Sequence, residues 1–104
     1  MSRNFPHINI GATGVTVTTV ISTSANGTIP NTSAATKARY VRVIATGTAY
    51  VRLAPAVGSA VAVTTDAMIT SGSPIILETL GYTHYAVIDD GVSVKVNISP
   101  LEDN

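Results

Sequence analysis

Apolar and β-branched residues recur at every second position over short runs of this chain, and each run is bounded by Gly, Pro, Asn, Asp or Ser. Side chains alternate between the two faces of a strand, so a period of two marks a strand with one buried face. The clearest run is Arg39-Tyr40-Val41-Arg42-Val43-Ile44-Ala45, followed by Thr46-Gly47-Thr48 and then Ala49-Tyr50-Val51-Arg52-Leu53. Two β-rich segments around a Thr-Gly-Thr turn signal predict a β-hairpin. With a three-residue loop, Val41, Val43 and Ala45 share an apolar face with Ala49, Val51 and Leu53. The opposite face collects Tyr40, Arg42 and Ile44 with Tyr50 and Arg52, and the register sets Arg42 across from Arg52. Like charges opposed on a sheet cost a few tenths of a kcal/mol up to about 1, so an acidic group from this chain or another is expected beside them. A two-residue loop would mix the two faces.

The remaining runs are shorter. Residues 14–21 begin a strand with Val15 and Val17 on one side and Thr16 and Thr18 on the other. Residues 22–36 are rich in turn formers and read as a long loop, with Asn26-Gly27 as a candidate tight turn and a short strand around Thr28-Ile29. Pro55 closes the second strand of the hairpin. Ala60-Val61-Ala62-Val63 reads as a further short strand, Thr65-Asp66-Ala67-Met68-Ile69 as a short element of either type, and Gly72-Ser73-Pro74 as a turn. Residues 75–80 form a strand stopped by Gly81. Residues 82–88 and 92–98 flank Asp89-Asp90-Gly91, and Asp-Gly is a strong hairpin signal. Val92, Val94, Val96 and Ile98 then face inward. A two-residue turn at Asp90-Gly91 puts Tyr85 and Val87 inside and His84 outside, whereas a three-residue turn reverses them; the former is preferred. Pro100 ends this strand, leaving a short acidic tail. The sum is an all-β domain over residues 15–104, a single β-sandwich or jelly-roll-like unit of seven or eight short antiparallel strands. Residues 1–14 precede it as an extended N-terminal arm.

Composition narrows the picture. A chain of 104 residues holds one small core. Charged residues make up 12%, about half the share of an ordinary soluble domain, so part of the surface is expected to be hidden against partners. The other possibility is a surface solvated by Thr and Ser. The formal net charge is zero, which leaves no basic field for nucleic acid. Cysteine is absent, so the core must stabilise the domain without disulfides. The first residues lack the apolar stretch of a signal peptide, and no run approaches the roughly 18 apolar residues of a membrane span; synthesis in a cytoplasm is expected. Phe5, the single phenylalanine, either tucks onto its own domain or anchors the arm to a neighbour.

Candidate chemistry is sparse. The only histidines are His7 and His84, and a triad would need one of them beside an acid and a nucleophile. Asp89 and Asp90 are explained by the turn that Gly91 completes. Asp66 and Glu78 could form a carboxylate pair for glycan hydrolysis, but neither spacing nor environment favours it. The glycines are scattered singly and make no phosphate loop. Tyr40, Tyr50 and Tyr82 are the only platform on which a sugar could stack. No enzyme activity, cofactor or metal is therefore expected. Binding by surface shape remains. Tyr and Arg favour interface centres, which makes Tyr40, Arg42, Tyr50 and Arg52, with Phe5, the candidate protein–protein interface. The alternative is an exposed sheet face on which the tyrosines shield the arginine stems.

Ala38-Arg39-Tyr40-Val41-Arg42-Val43 leading through Thr46-Gly47-Thr48-Ala49 to Tyr50-Val51-Arg52-Leu53, then Asp66-Ala67-Met68-Ile69 with Gly72-Ser73-Pro74, and finally Gly81-Tyr82-Thr83-His84-Tyr85-Ala86-Val87-Ile88, together resemble the small all-β head proteins of tailed bacteriophages, the capsid cement or decoration proteins. The resemblance is one of general pattern and carries no catalytic or ligand motif. It implies a non-enzymatic virion protein, made in the host cytoplasm and bound outside the capsid. Its partners would be the major capsid protein and further copies of itself, as a trimer in preference to a dimer. A carbohydrate- or receptor-binding β-sandwich module of a phage tail or fibre is the alternative.

Overall fold

The computed structural model describes residues 8–9, 13–33 and 36–103. The strands are β1 (Ile8–Asn9), β2 (Val15–Thr18), β3 (Ala25–Thr28), β4 (Tyr40–Ala45), β5 (Ala49–Ala54), β6 (Ala67–Ile69), β7 (Ile75–Glu78), β8 (His84–Asp89) and β9 (Lys95–Asp103), with a single 3₁₀ turn at Val57–Ser59. All strand pairing between them is antiparallel, in two sheets. Sheet 1 runs β2-β9-β4-β7, with β1 continuing beyond β2 along the same flank of β9; sheet 2 runs β3-β8-β5-β6. The chain is thus one long ribbon doubled back on itself, β2 with β9, β3 with β8, β4 with β7 and β5 with β6. The ribbon is then rolled so that β9 also meets β4 and β8 meets β5. This is the double-sheet jelly roll.

The expected hairpins are not hairpins. β4 pairs with β9 and β7, whereas β5 pairs with β8 and β6. Thr46-Gly47-Thr48 is therefore an arch that carries the chain from one sheet to the other, and the Asp90-Gly91 turn does the same between β8 and β9. An arch and a hairpin leave the same residues pointing inward. Val41, Val43, Ala45, Ala49 and Val51 are buried, as are Tyr85, Val87, Val94, Val96 and Ile98. What differs is the neighbour. Arg42 lies between Ser99 and Ile76, and Arg52 lies opposite Ala86, so the expected Arg42–Arg52 opposition does not occur. Val92, expected inside, is exposed because the inward alternation begins only at Val94.

Three further corrections have local causes. Asn26-Gly27 is not a turn but part of β3, opposite Ala86 and Tyr85. A Cβ on Gly27 would come within 2.5–2.9 Å of the Tyr85 ring and hydroxyl, so the glycine makes room for a buried tyrosine. Pro100 does not end β9. The flanking partner stops at Ile98, opposite Val15, and resumes at Glu102, opposite Asn9, so Pro100 falls in a gap of the ladder where a missing N–H is tolerated. Residues 60–63 are not a strand. They belong to a strap, residues 55–66, that folds back over the outer face of sheet 2. There Ala60 and Ala62 pack on Ala54 and Ala86, and methyl-sized side chains let the strap lie close. The strap is pinned by Ala62 N–H to Ser24 Oγ at 2.9 Å, by Asn26 Nδ2 to the Ala60 carbonyl at 3.3 Å, and by Arg52 to Asp66 at 2.9 Å. Of the N-terminal arm, the described part is Ile8–Asn9, strand β1, with residues 13 and 14 leading into β2; Phe5 lies outside the described residues.

The main core is Val, Ile and Ala from both sheets, with Val41, Val43, Val87, Val96 and Ile98 wholly inaccessible. Burying each such side chain contributes about 1.5–3 kcal/mol.

Two substitutions test this arrangement. Thr16 and Asn97 are directly opposed on β2 and β9, their side chains 3.0 Å apart, so Thr16→Cys with Asn97→Cys should oxidise to a disulfide in a chain that has no competing thiol. Closing so long a loop should stabilise the fold by up to about 4 kcal/mol, measured by urea unfolding with and without reductant. Gly27→Val should cost about 1–3 kcal/mol by overpacking against Tyr85, read in the same assay.

Candidate functional site

At one end of the sandwich the sheets are closed by a carboxylate. Asp89 is on the inner face of β8, opposite Ala49, and is 1% exposed. Its Oδ2 accepts a hydrogen bond from Thr19 Oγ1 at 2.7 Å, and its Oδ1 accepts from the backbone N–H of Ser22 at 2.9 Å and of Gly91 at 3.1 Å. The Ser22 N–H is the chief influence holding the carboxyl below its ordinary pKa; burial opposes it, and the Thr19 hydroxyl and Gly91 N–H assist. Thr19 in turn bonds Val94 through its backbone N–H and through its hydroxyl, and its carbonyl accepts from Ser93 Oγ. The β2–β3 and β8–β9 loops are thus tied together at two points, Asp89 and Thr19.

What these tied loops present is apolar. Val20 and Ile21 follow Thr19 and are 69% and 57% exposed, and Val92, just before Ser93, is 71% exposed. Ser22 is held at φ +58°, in the left-handed region, a conformation that costs a non-glycine residue on the order of 1 kcal/mol or more. The Asp89 bond to its N–H stabilises that conformation. At the other end of β8, in the β7–β8 loop, Leu80 is likewise at φ +53° and is 71% exposed, with Tyr82 half-exposed nearby in sequence. Gly81 at φ +79° makes the second left-handed residue of that turn.

The four Tyr and Arg residues do not form one surface. Tyr40 and Arg42 are on the outer face of sheet 1, Tyr50 and Arg52 on the outer face of sheet 2, and the core lies between them. The Arg52 Nε and Nη2 both donate to Asp66 Oδ1, at 3.1 and 2.9 Å; this arginine anchors the strap. Burial first, and the Asp90 carboxylate second, push the Tyr50 phenol above its usual pKa. The Arg39 guanidinium sits 5.9 Å from the centre of the Tyr40 ring. Arg42 has no such partner: its Nε is the one buried side-chain nitrogen or oxygen without a hydrogen bond among the described residues. His84 Nδ1 is 2.8 Å from the Thr83 hydroxyl, and Asp66, with its bonds to Arg52 and to Val63 N–H, is on sheet 2's strap while Glu78 is on β7.

Two concavities bear on binding. A cleft of about 130 Å³ lies between the β3–β4 loop and the β7–β8 loop, lined by Ile29, Pro30, Lys37, Ala38 and Tyr82 among others. A broader groove of about 540 Å³ crosses the outer face of sheet 1, between Thr16, Lys95 and Asn97 on one side and Ser71 and Gly72 on the other, with Ile44 and Ala45 at its floor. Among the described residues no group of three or more His, Cys, Asp or Glu side chains is placed to hold a metal ion, and no helix is long and apolar enough to cross a membrane.

The sequence explains Asp89 as turn chemistry, and its bond to Gly91 N–H is that turn. Its partners Thr19 and Ser22 are far away in the chain, and no local signal marks them.

A carboxyl whose folded-state pKa lies below the unfolded value of about 3.9 contributes stability that is complete above about pH 5, about one unit over the unfolded value, and is lost as the pH falls through the folded-state value. Asp89→Asn should therefore unfold more easily than the parent at pH 7 by about 1–3 kcal/mol. The gap should narrow as the pH is lowered from 5 to 2, in thermal or urea unfolding followed across that range. Comparison of the chain with protein-family models, with curated proteins and with solved structures found no match.

Proposed function

We propose that this protein is a structural, protein-binding jelly roll that bridges neighbouring subunits of a larger assembly, in the manner of a cement protein on the exterior of a tailed-phage capsid. One observation carries the reading. Exposed aliphatic side chains stand at both ends of β8, Val20, Ile21 and Val92 at one and Leu80 at the other, on backbone held in the left-handed region at Ser22 and Leu80. Single exposed apolar residues are ordinary. A group of three on loops clamped by a buried carboxylate is not, because strained backbone persists only where the surroundings enforce it and tends to mark functional sites. Two apolar ends suit a domain that touches two neighbours at once, and several modest contacts sum to a firm attachment. The low charge of the chain agrees with surfaces covered by protein.

A glycan-binding module finds less support. Tyr40, Tyr50 and Tyr82 lie on sheet 1, on sheet 2 and in an end loop, so they make no common stacking platform. The cleft beside Tyr82, about 130 Å³, is well below the roughly 300–1,000 Å³ of ordinary small-molecule sites.

Ile21→Asp and Leu80→Asp test the bridging reading. Each should weaken co-sedimentation of the purified protein with capsids of the phage that encodes it by at least tenfold. Stability should stay within about 0.5 kcal/mol of the parent, since both side chains are on the surface. Full capsid binding by both variants, or a parent protein that does not bind capsids, would refute it.

A further inference from the structure

Among the described residues, Arg42 carries the one buried side-chain nitrogen or oxygen without a hydrogen bond. It projects from the middle of β4 on the outer face of sheet 1, between Ser99 of β9 and Ile76 of β7, half-buried, with its Nε cut off from solvent and unbonded. A buried donor left without an acceptor is unfavourable, and the cost is larger for a charged group. Two residues along the same face is Ile44, the floor of the 540 Å³ groove, and the rim of that groove carries Lys95. Lys95 lies four residues from Ser99, the position opposite Arg42. The groove therefore has an aliphatic floor and one lining cation, Lys95; Arg42 does not line it and lies one step beyond Ile44 on the same face of β4. Glu78, opposite Tyr40, is the one described carboxylate on this face of β2, β4, β7 and β9 up to Leu101.

We propose that this groove binds an extended acidic segment of a partner protein, a strand-like stretch with carboxylates four residues apart and an aliphatic residue midway. In an extended chain residues i, i+2 and i+4 face one way, and four residues span about 13 Å. That spacing matches the step from Ser99 to Lys95 along β9. One carboxylate seats on the solvent-facing edge of the Arg42 guanidinium in a charge-assisted bond. The aliphatic side chain covers Ile44, and the second carboxylate meets Lys95. Charge complementarity favours this occupant over a second copy of the chain, whose own face would bring Arg42 and Lys95 against like charge. The proposal rests on the protein-binding role above and gives that role a partner chemistry.

The probe is a capped, fluorescein-labelled Thr-Glu-Thr-Leu-Thr-Glu-Thr peptide, with the same peptide carrying Lys for Glu as control, titrated by fluorescence anisotropy at low salt. Binding of the acidic peptide alone, weakened at least tenfold in Arg42→Gln and by a smaller factor in Lys95→Gln, is the expected result. Arg42→Met, which keeps the stem and removes the unbonded nitrogen, should have an unchanged or higher Tm. No binding to the parent, binding unaffected by Arg42→Gln, or a lowered Tm in Arg42→Met would overturn the proposal. So would a dimer of the parent that Arg42→Gln abolishes, since the occupant would then be a second copy. A parent that binds capsids but not the peptide removes this inference and leaves the bridging role standing; the reverse pattern removes the bridging role and leaves the groove.

Discussion

β9 is the strand on which the two halves of the molecule close: it alone among the described strands is hydrogen-bonded to three others, β4 on one flank and β2 and β1 on the other. The chain has no cysteine to fix this closure covalently, so residues separated by most of the chain are held by ladder bonds and inward valines. Closing a long loop carries an entropic cost that grows with the logarithm of its length. Nesting reduces what each pairing must offset. Once β5 and β6 are together, β4 and β7 are joined to them by only residues 46–48 and 70–74, β3 and β8 then close residues 29–39 and 79–83, and β2 and β9 close residues 19–24 and 90–94. The β2–β9 contact completes a series of short steps, and Val15, Val17, Val96 and Ile98 are inward in register when it forms.

The Asp89 end inverts the ordinary distribution of polarity. A carboxylate sits between the sheets while Val20, Ile21 and Val92 face solvent. Burying a charge is tolerable only when its acceptors are satisfied, and here two backbone N–H groups and a hydroxyl supply that. An apolar plug in its place would close the core equally well. It would leave the Ser22 N–H without its acceptor and the two loops joined only through Thr19. The carboxylate serves loop geometry, and loop geometry decides which side chains the end displays.

How much of this is legible in the sequence follows from the range of each interaction. Alternation over residues 41–45, 49–53 and 94–98 identifies the inward side chains correctly, because that depends only on backbone period. The turn signals at Thr46-Gly47-Thr48 and Asp90-Gly91 correctly mark chain reversals. Neither signal says whether the returning strand lies beside its predecessor or across the core from it, since both leave the same residues inside. The pairing of Arg42 with Arg52 failed for this reason, and with it the idea of one Tyr/Arg surface. Gly27 was ambiguous in kind: a glycine that allows a turn and one that allows a ring to approach look identical until Tyr85 is placed opposite. The acidic partner expected for the arginines exists for Arg52, on a strap whose return over sheet 2 depends on four alanines at separate places in the chain.

The position of β9 in sheet 1 also bears on how the protein is made. Chains are synthesised from the N-terminus at about 5–20 residues per second, and a β-fold dominated by remote contacts forms slowly. Strands β2 and β4 share no ladder with each other and are joined only through β9, so until residues 95–98 have left the ribosome the valine faces of both remain open on one flank. The nascent chain must therefore carry its apolar stripes open until β9 has emerged, and it is in that interval, rather than as the finished domain, that chaperone protection matters most to it.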